Sequence, residues 1–288
     1  MRNSMNIRKI VIWLTVIAVA SLTIAAIAFF NTESCLVGFR DRNNFEEKSI
    51  NEIKTLDIGQ LKEICIHSVS SDISVFLTDE EDIRINFYGK LVADSGKALP
   101  KLITNIKGSE LTKGIQRPKA LFYRDNLVLD VYLPQDYKEC ITVDTVSADV
   151  DISNLDINNI QCKTVSGDLR IETLGSDNLT LNTTSGNINI LDISGNLKAD
   201  TVSGDVNVEY KVFNQDIDIK TISGKVKIDL PQNAEFYLKT NTVSGEVAVK
   251  FPITIINSNT INQLEGTVGK EDNKIMVDTV SGDIYLDK

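Results

Sequence analysis

The chain has 288 residues, 42% of them apolar, 6% aromatic and 24% charged, the composition of a folded protein, which excludes a disordered or collagen-like chain. Its 30 basic and 40 acidic residues leave a net charge of −10, which excludes a general electrostatic affinity for nucleic acid. A single histidine, His67, and four scattered cysteines, Cys35, Cys65, Cys140 and Cys162, with no pair at zinc or redox spacing, argue against multi-imidazole chemistry, a disulfide-dense scaffold and a thioredoxin-like site.

The first predicted element is a membrane helix. From Ile10 to Phe30 run 21 residues without a charge, preceded by Arg2, Arg8 and Lys9 and followed within eight residues by Glu33 alone. Such a run spans a bilayer core of roughly 30 Å, and the flanking cations predict a cytoplasmic tail at 1–9, a transmembrane helix at 10–30 and everything beyond on the far side. A cleaved signal peptide is the competing reading, because Ala26 to Ala28 forms an A-x-A-like site, but the apolar run is longer than a usual h-region. Cys35 follows Thr32-Glu33-Ser34, a poor fit to a lipid-attachment site. Taking the three leading cations from the total leaves about −13 on residues 31–288, so the exported part is acidic and repelled by anionic lipid or wall polymer. Residues 31–55 read as a polar linker, and 56–288 as an extracytoplasmic β-strand-repeat domain with its regular repeats at 137–288.

Within that domain an isolated unit, HSVSSDISV around Ser70, is followed by a strand at Ile83–Phe87 and by a clean alternation of Leu127, Leu129, Val131 and Leu133 before Pro134. Between these strands, residues 90–124 carry eight cations (Lys90, Lys97, Lys101, Lys107, Lys113, Arg117, Lys119 and Arg124) against Asp94 and Glu110. This segment is the candidate docking surface for an anionic ligand or for the protein's own acidic face; a solvated loop with spaced lysines is the bland alternative.

The regular repeats follow. Aligned on Val-Ser-Gly, seven units centre on Ser147, Ser166, Ser185, Ser203, Ser223, Ser244 and Ser281, at spacings of 19, 19, 18, 20, 21 and 37, the last being two periods; Ser70 lies 77 residues before Ser147, close to four periods. Apolar residues recur six and four positions before each Ser (Ile141 and Val143, Ile160 and Cys162, Leu179 and Leu181) and three and five after it (Val150 and Ile152, Leu169 and Ile171, Ile188 and Ile190), with polar residues between. Period two with β-branched residues predicts a strand, a Ser-Gly corner and a second strand in each unit. Parity changes across the corner, and the Gly after every one of these serines but Ser147, which Ala148 follows, supplies the backbone freedom for that bend. Parallel stacking places like columns on like, whereas hairpins would alternate them, so the pattern predicts an all-β, β-solenoid or β-helix-like stack rather than the alternative β-sandwich.

Two further columns have a functional and a structural reading. Thr145, Thr164, Thr183, Thr201, Thr221, Thr242 and Thr279 stand two before each Ser. A flat threonine array suits binding of an ordered surface, but parity points these side chains inward, to hydrogen bonds along the stack. Asp72, Asp149, Asp168, Asp205, Glu246 and Asp283 form an acidic column that suits calcium, yet Asn187 and Lys225 interrupt it, and an Asp after Gly commonly satisfies a turn amide. No metal or cofactor is therefore assigned. Nor is there a G-x-S-x-G elbow, P-loop, H-E-x-x-H or dinucleotide-binding glycine pattern, and one histidine cannot serve eight corner serines, so no catalytic residue is assigned and no enzyme activity is expected. His67 is expected to be exposed and Cys162 buried and inert.

With its TVSAD and TVSGD units at Thr145–Asp149, Thr164–Asp168, Thr201–Asp205 and Thr279–Asp283, the segment NEIKTLDIGQLKEICIHSVSSDISV, and Leu-Pro pairs at Leu133-Pro134 and Leu230-Pro231, the chain resembles the bacterial putative-adhesin β-strand-repeat family over residues 45 to 288. With its single anchor it is most similar to the LiaG-like members found in envelope-stress operons of low-GC Gram-positive bacteria. The resemblance implies fold and location, together with partners among membrane or envelope proteins of a stress-sensing system, or wall polymer. It implies no catalytic residue. The expected role is a non-catalytic binding or scaffolding module in cell-envelope stress, with a surface adhesin or polysaccharide-binding protein as the alternative. The last unit ends at Lys288, seven residues after Ser281, which predicts an exposed final coil and a ready edge for a partner.

Overall fold

The computed structural model describes residues 45–59, 61–94, 98–107, 109–116, 122–260 and 262–288. The expected transmembrane helix at 10–30 lies outside them, and among the described residues no helix is long and apolar enough to cross a membrane. Every regular element described is a β-strand.

Residues 45–55, expected as linker, form most of the first strand, β1 (Phe45–Leu56), which pairs antiparallel along its whole length with β4 (Ile83–Asp94). Between them β2 (Glu63–Ser68) and β3 (Asp72–Thr78) flank the corner at Ser70. A hairpin of β5 (Lys101–Lys107) and β6 (Glu110–Gln116) precedes the long β7 (Phe122–Pro134). The regular units follow as β8 (Cys140–Thr145), β9 (Val150–Asp156), β10 (Asn159–Lys163), β11 (Leu169–Asn182), β12 (Ile188–Asp200), β13 (Val206–Glu209), β14 (Ile217–Lys220) and β15 (Val226–Asp229). Then come β16 (Phe236–Asn241), β17 (Val247–Val249), a hairpin of β18 (Thr254–Thr260) and β19 (Gln263–Val268), and finally β20 (Lys274–Asp278) and β21 (Ile284–Asp287).

These strands form one hydrogen-bonded wall that the corners fold into two faces. The strand before each Ser-Gly corner lies on one face and the strand after it on the other, all parallel through the regular units. The predicted columns stack in register: Ile141 on Ile160, Leu179, Leu197 and Ile217, and Val150 on Leu169, Ile188, Val206 and Val226, all essentially inaccessible. Each buried Leu, Ile or Val side chain contributes roughly 1.5–3 kcal/mol, so the core runs as one column through the stack. A second bend follows the second strand at Asn154, Thr173 and Asp192, whose φ values of 55°, 50° and 55° are left-handed. It turns Leu155, Leu174 and Ile193 into the interior. Farther along, this third side is filled by Tyr210, Phe213, Phe236 and Phe251, packed edge-to-face with ring centroids 5.3–6.2 Å apart.

Connectivity departs from the simple stack at both ends. The β2/β3 coil lies between the β6/β7 and β8/β9 coils, because β3 pairs with both β7 and β9 and β2 with both β6 and β8. The isolated Ser70 unit is therefore the direct neighbour of the Ser147 unit, with the Ser147 amide donating to the Val69 carbonyl at 2.8 Å, and not four periods away. At the other end the β20/β21 coil is inserted between β14/β15 and β16/β17. The expectation of an exposed final coil is thus overturned: the residues around Ser281 form an internal layer with a partner on each side. The outermost strands at that end are β17 and the β18–β19 hairpin, whose β19 pairs antiparallel with β16.

The opposite end is closed by the inward-facing pair Glu52 and Lys54 on β1. The Glu52 carboxylate accepts from the Leu102 amide (3.1 Å), and the Lys54 ammonium donates to the Leu102 carbonyl (2.7 Å), so β1 and β5 join across the two faces. Inward charges on a terminal strand saturate an edge that would otherwise pair with another chain.

Candidate functional site

The corner is where the repeat concentrates its polar side chains. The seven threonines two before each Ser are buried, as parity predicted, so they present no flat array to an outside surface. The hydroxyls of Thr145, Thr164, Thr183, Thr201, Thr221 and Thr279 have no hydrogen-bond partner, however; only the Thr242 hydroxyl donates, to the Gly282 carbonyl at 3.2 Å. Like residues on adjacent coils sit about 4.8 Å apart, beyond hydroxyl reach, so the expected threonine hydrogen-bond ladder does not form.

The glycines after the corner serines have a second cause beside the expected backbone freedom, which Gly204 and Gly224 use at φ 156°. A methyl group on Gly186 would stand 2.0 Å from the Gly167 carbonyl oxygen, and one on Gly204 1.9 Å from that of Gly186. Close approach of stacked backbones demands glycine here, in addition to the positive φ at Gly204 and Gly224.

The acidic column forms a ladder of its own. Asp72 accepts the amide of Asp149, Asp149 that of Asp168, Asp168 that of Asn187, Asn187 that of Asp205 and Asp205 that of Lys225, all at 2.8–3.1 Å. Asn187 serves because an amide oxygen accepts as a carboxylate does; Lys225 interrupts the run because it cannot, and the run resumes where Asp283 accepts the Glu246 amide at 2.9 Å. Arg170 lies across Asp149 and Asp168 at 3.2 Å and Asp151 at 3.5 Å. One oxygen of each aspartate in the column is thus engaged by an amide of the next coil, and Asp149 and Asp168 also hold the guanidinium.

Two ladders were not recognised from the sequence. Three before each Ser, the register brings His67, Asp144, Lys163, Asn182, Asp200, Lys220, Asp278 and Asn241 into one row of largely alternating charge. His67 heads it, exposed as expected, with Nδ1 3.5 Å from Asp144. Burial raises the carboxyls of Asp200 and Asp278 above their ordinary range. A second row of amides runs Asn196 to Asn178 to Asn159 at 3.3 and 3.0 Å. The signal for the first row was a column that looked merely variable; physical stack order, with Ser281 between Ser223 and Ser244, makes its charges alternate.

The basic segment does not form one patch. Lys90 is on β4 and pairs with Glu47 at 2.8 Å, whereas Lys101 and Lys107 are exposed at opposite ends of β5 on the other face. Lys113 is fully buried: it replaces an apolar residue in the inner column, opposite Ile66, and its ammonium nitrogen has no hydrogen-bond partner. Desolvation lowers its pKa to about 7. It is therefore removed from the docking surface. Lys97, Arg117, Lys119 and the side chain of Arg124 lie outside the described residues. Cys162 is buried as expected, and desolvation pushes its thiol up to about 12; Cys65 rises to the same value by burial and by the neighbouring Glu63 and Glu110.

What remains open is a groove of about 550 Å³ on the outer side of the pre-corner face, where Lys107 stands beside Glu63, Glu110, Thr142, Gln161 and Thr180. The two carboxylates are held in place: Glu63 accepts from Thr142 and Glu110 from Thr112, both at 3.1 Å. Such a lining of amides, hydroxyls and fixed charges orients a polar ligand by hydrogen bonds. A second open groove, of about 650 Å³, is lined by Asp57, Asp79, Glu80, Glu81, Asp82 and Asp136 and concentrates the acidity of the chain.

A parallel β-solenoid with cross-coil corner ladders and shallow polar grooves is, as a class, a repeat-built binding fold. The chain belongs to the Toastrack DUF4097 family, which matches residues 61–287. Solved structures similar to it include a putative cell adhesion protein from Clostridium sporogenes (15% identity, 83% of this chain and 99% of that one, TM-score 0.39). A putative adhesin from Bacteroides fragilis is 14% identical, with coverages of 83% and 97% and a TM-score of 0.44. A putative lipid binding protein from Parabacteroides distasonis is 17% identical, with coverages of 86% and 98% and a TM-score of 0.34. No curated protein matches the chain.

Proposed function

We propose that the protein is a non-catalytic, single-pass membrane protein that displays its solenoid outside the cytoplasmic membrane and acts as a binding or scaffolding module in the cell-envelope stress response. The apolar run at 10–30 with its leading cations supports the anchor and its orientation. The observation that carries the scaffolding role is the cross-coil bonding of the stack: the Asp and Asn ladders tie each corner to the next coil, leaving open grooves at the outer surface. Its partners are membrane or envelope proteins of a stress-sensing system, held at the groove beside Lys107 and at the exposed ammoniums of Lys90 and Lys101. In-cell crosslinking and pull-down of the full chain, with and without a wall-active antibiotic, tests this reading. A membrane sensor captured in drug-dependent amounts is expected; capture of wall polymer alone overturns it.

A second reading, binding of wall or surface polysaccharide as an adhesin would, is favoured by one observation, the hydroxyl and amide lining of the same groove. Saturable binding of purified wall polysaccharide, weakened at least tenfold by Gln161→Ala with Thr142→Ala, would move the weight to it.

A further inference from the structure

The internal position of the β20/β21 coil bears on how two copies of this chain can join. Its backbone ladders are all to distant parts of the sequence: β20 lies between β14 and β16, β21 between β15 and β17, and Ser281 between Ser223 and Ser244. It makes no ladder with β19, the strand that immediately precedes it. The chain leaves β19 on one side of β16, passes the start of that strand through Gly269–Asn273, and enters on the other side. The slot it fills is specific. Ile275, Val277, Ile284 and Leu286 complete the four apolar columns, and Gly282 meets the Gly224 carbonyl so closely that a methyl there would stand 1.9 Å from the oxygen. Only a strand, a Ser-Gly corner and a second strand fit, which is the repeat this chain itself carries.

The connector has the marks of a hinge. Gly269 is left-handed (φ 64°), and Gly269–Glu271 and Asp272 are exposed and polar. β19 and β20 are two strand spacings apart, about 10 Å, while the five residues reach about 20 Å when extended. We propose that residues 274–288 form an exchangeable coil, and that the slot between β14/β15 and β16/β17 accepts the same coil from a second copy, joining two chains by reciprocal swapping about Gly269–Asn273. Every native contact of the coil is kept in the swapped dimer, because none depends on which chain supplies it; the equilibrium is set by hinge strain and by the local concentration of the second copy.

Two experiments on the full chain test this. Asp218 and Met276 are register neighbours on β14 and β20. When Asp218→Cys in one tagged chain and Met276→Cys in another are refolded together at high concentration under mild oxidant, a disulfide-linked heterodimer is expected, while each alone gives none. Deleting Lys270–Asp272 cuts the reach to about 10 Å, no longer than the straight line between the strands, so the path around β16 closes within one chain. The dimer fraction measured by light scattering should rise at least tenfold. Failure of the mixed chains to crosslink, while the double variant D218C/M276C closes its disulfide within one chain, overturns the proposal. A shortened-hinge variant that folds and stays monomeric overturns it equally.

Discussion

The central coils and the two ends of this molecule use the same repeat in different orders. From β8 to β14 each coil stacks on the one before it in sequence, and a ladder passes its hydrogen bonds from coil to coil without interruption. At the ends one coil is wedged between two others, and the chain makes hairpins, β5–β6 and β18–β19, to come back to it. The difference teaches that uniform columns fix which residues face inward but not which coil lies beside which, because every coil presents the same surface to its neighbours.

The sharpest way to break the central order is to separate two coils. Gly204→Ala puts a methyl against the Gly186 carbonyl and should cost roughly 3 kcal/mol or more in urea unfolding, since backbone on both sides cannot yield. Ala148→Gly, where the repeat already carries a methyl, should cost about 1 kcal/mol or less.

Lys113 is the corresponding probe at the β1/β5 end. The unfolded chain holds its proton up to the ordinary lysine range near 10.5, while the folded chain releases it near 7. Between these values the unfolded state binds the extra proton, so native stability climbs with pH from about 7, is complete above 10.5, and is lost as pH falls back toward 7. Lys113→Met should remove that slope and raise stability at pH 7 by on the order of 3 kcal/mol, read as urea midpoints of both proteins at pH 7, 8 and 9. A slope unchanged in the variant would show that the titrating group lies elsewhere.

Smaller effects separate the ladders. Asp168→Ala removes the acceptor of the Asn187 amide and one partner of Arg170, and should cost about 1 kcal/mol, whereas Asp168→Asn should cost less than half of that, as the natural Asn187 shows. Smallest of all, Thr183→Val deletes a hydroxyl with no partner and should be neutral or stabilising by a few tenths of a kcal/mol; Thr242→Val breaks the bond to Gly282 and should cost about 1 kcal/mol. Melting temperatures of the two variants side by side decide whether the threonine column is structural through packing or through hydrogen bonds.

Much of the fold was legible because a β-strand exposes its burial pattern at period two and the solenoid repeats that pattern at a fixed interval. The inward positions of Ile141, Leu179 and Val226, the buried Cys162 and the exposed His67 all follow from side-chain parity, whereas the aspartates accept amides of the neighbouring coil and not, as expected, of their own turn. The alternating row from His67 to Asn241 was not legible, because its order is the order of the stack. Nor was the fate of the basic segment, since a lysine at strand parity looks the same in sequence whether its partner strand leaves it in water, as at Lys101, or covers it, as at Lys113.

The sequence by itself determined the all-β stack of about nineteen-residue units, the inward columns and the acidity of the repeat domain. Only the tertiary structure decided the layer order, the closure of β1 on β5 and the burial of Lys113. The physical reason is that parity and propensity act over a few residues, whereas the choice of neighbour between equivalent coils is made by connector length and chain path, to which the repeated columns are indifferent.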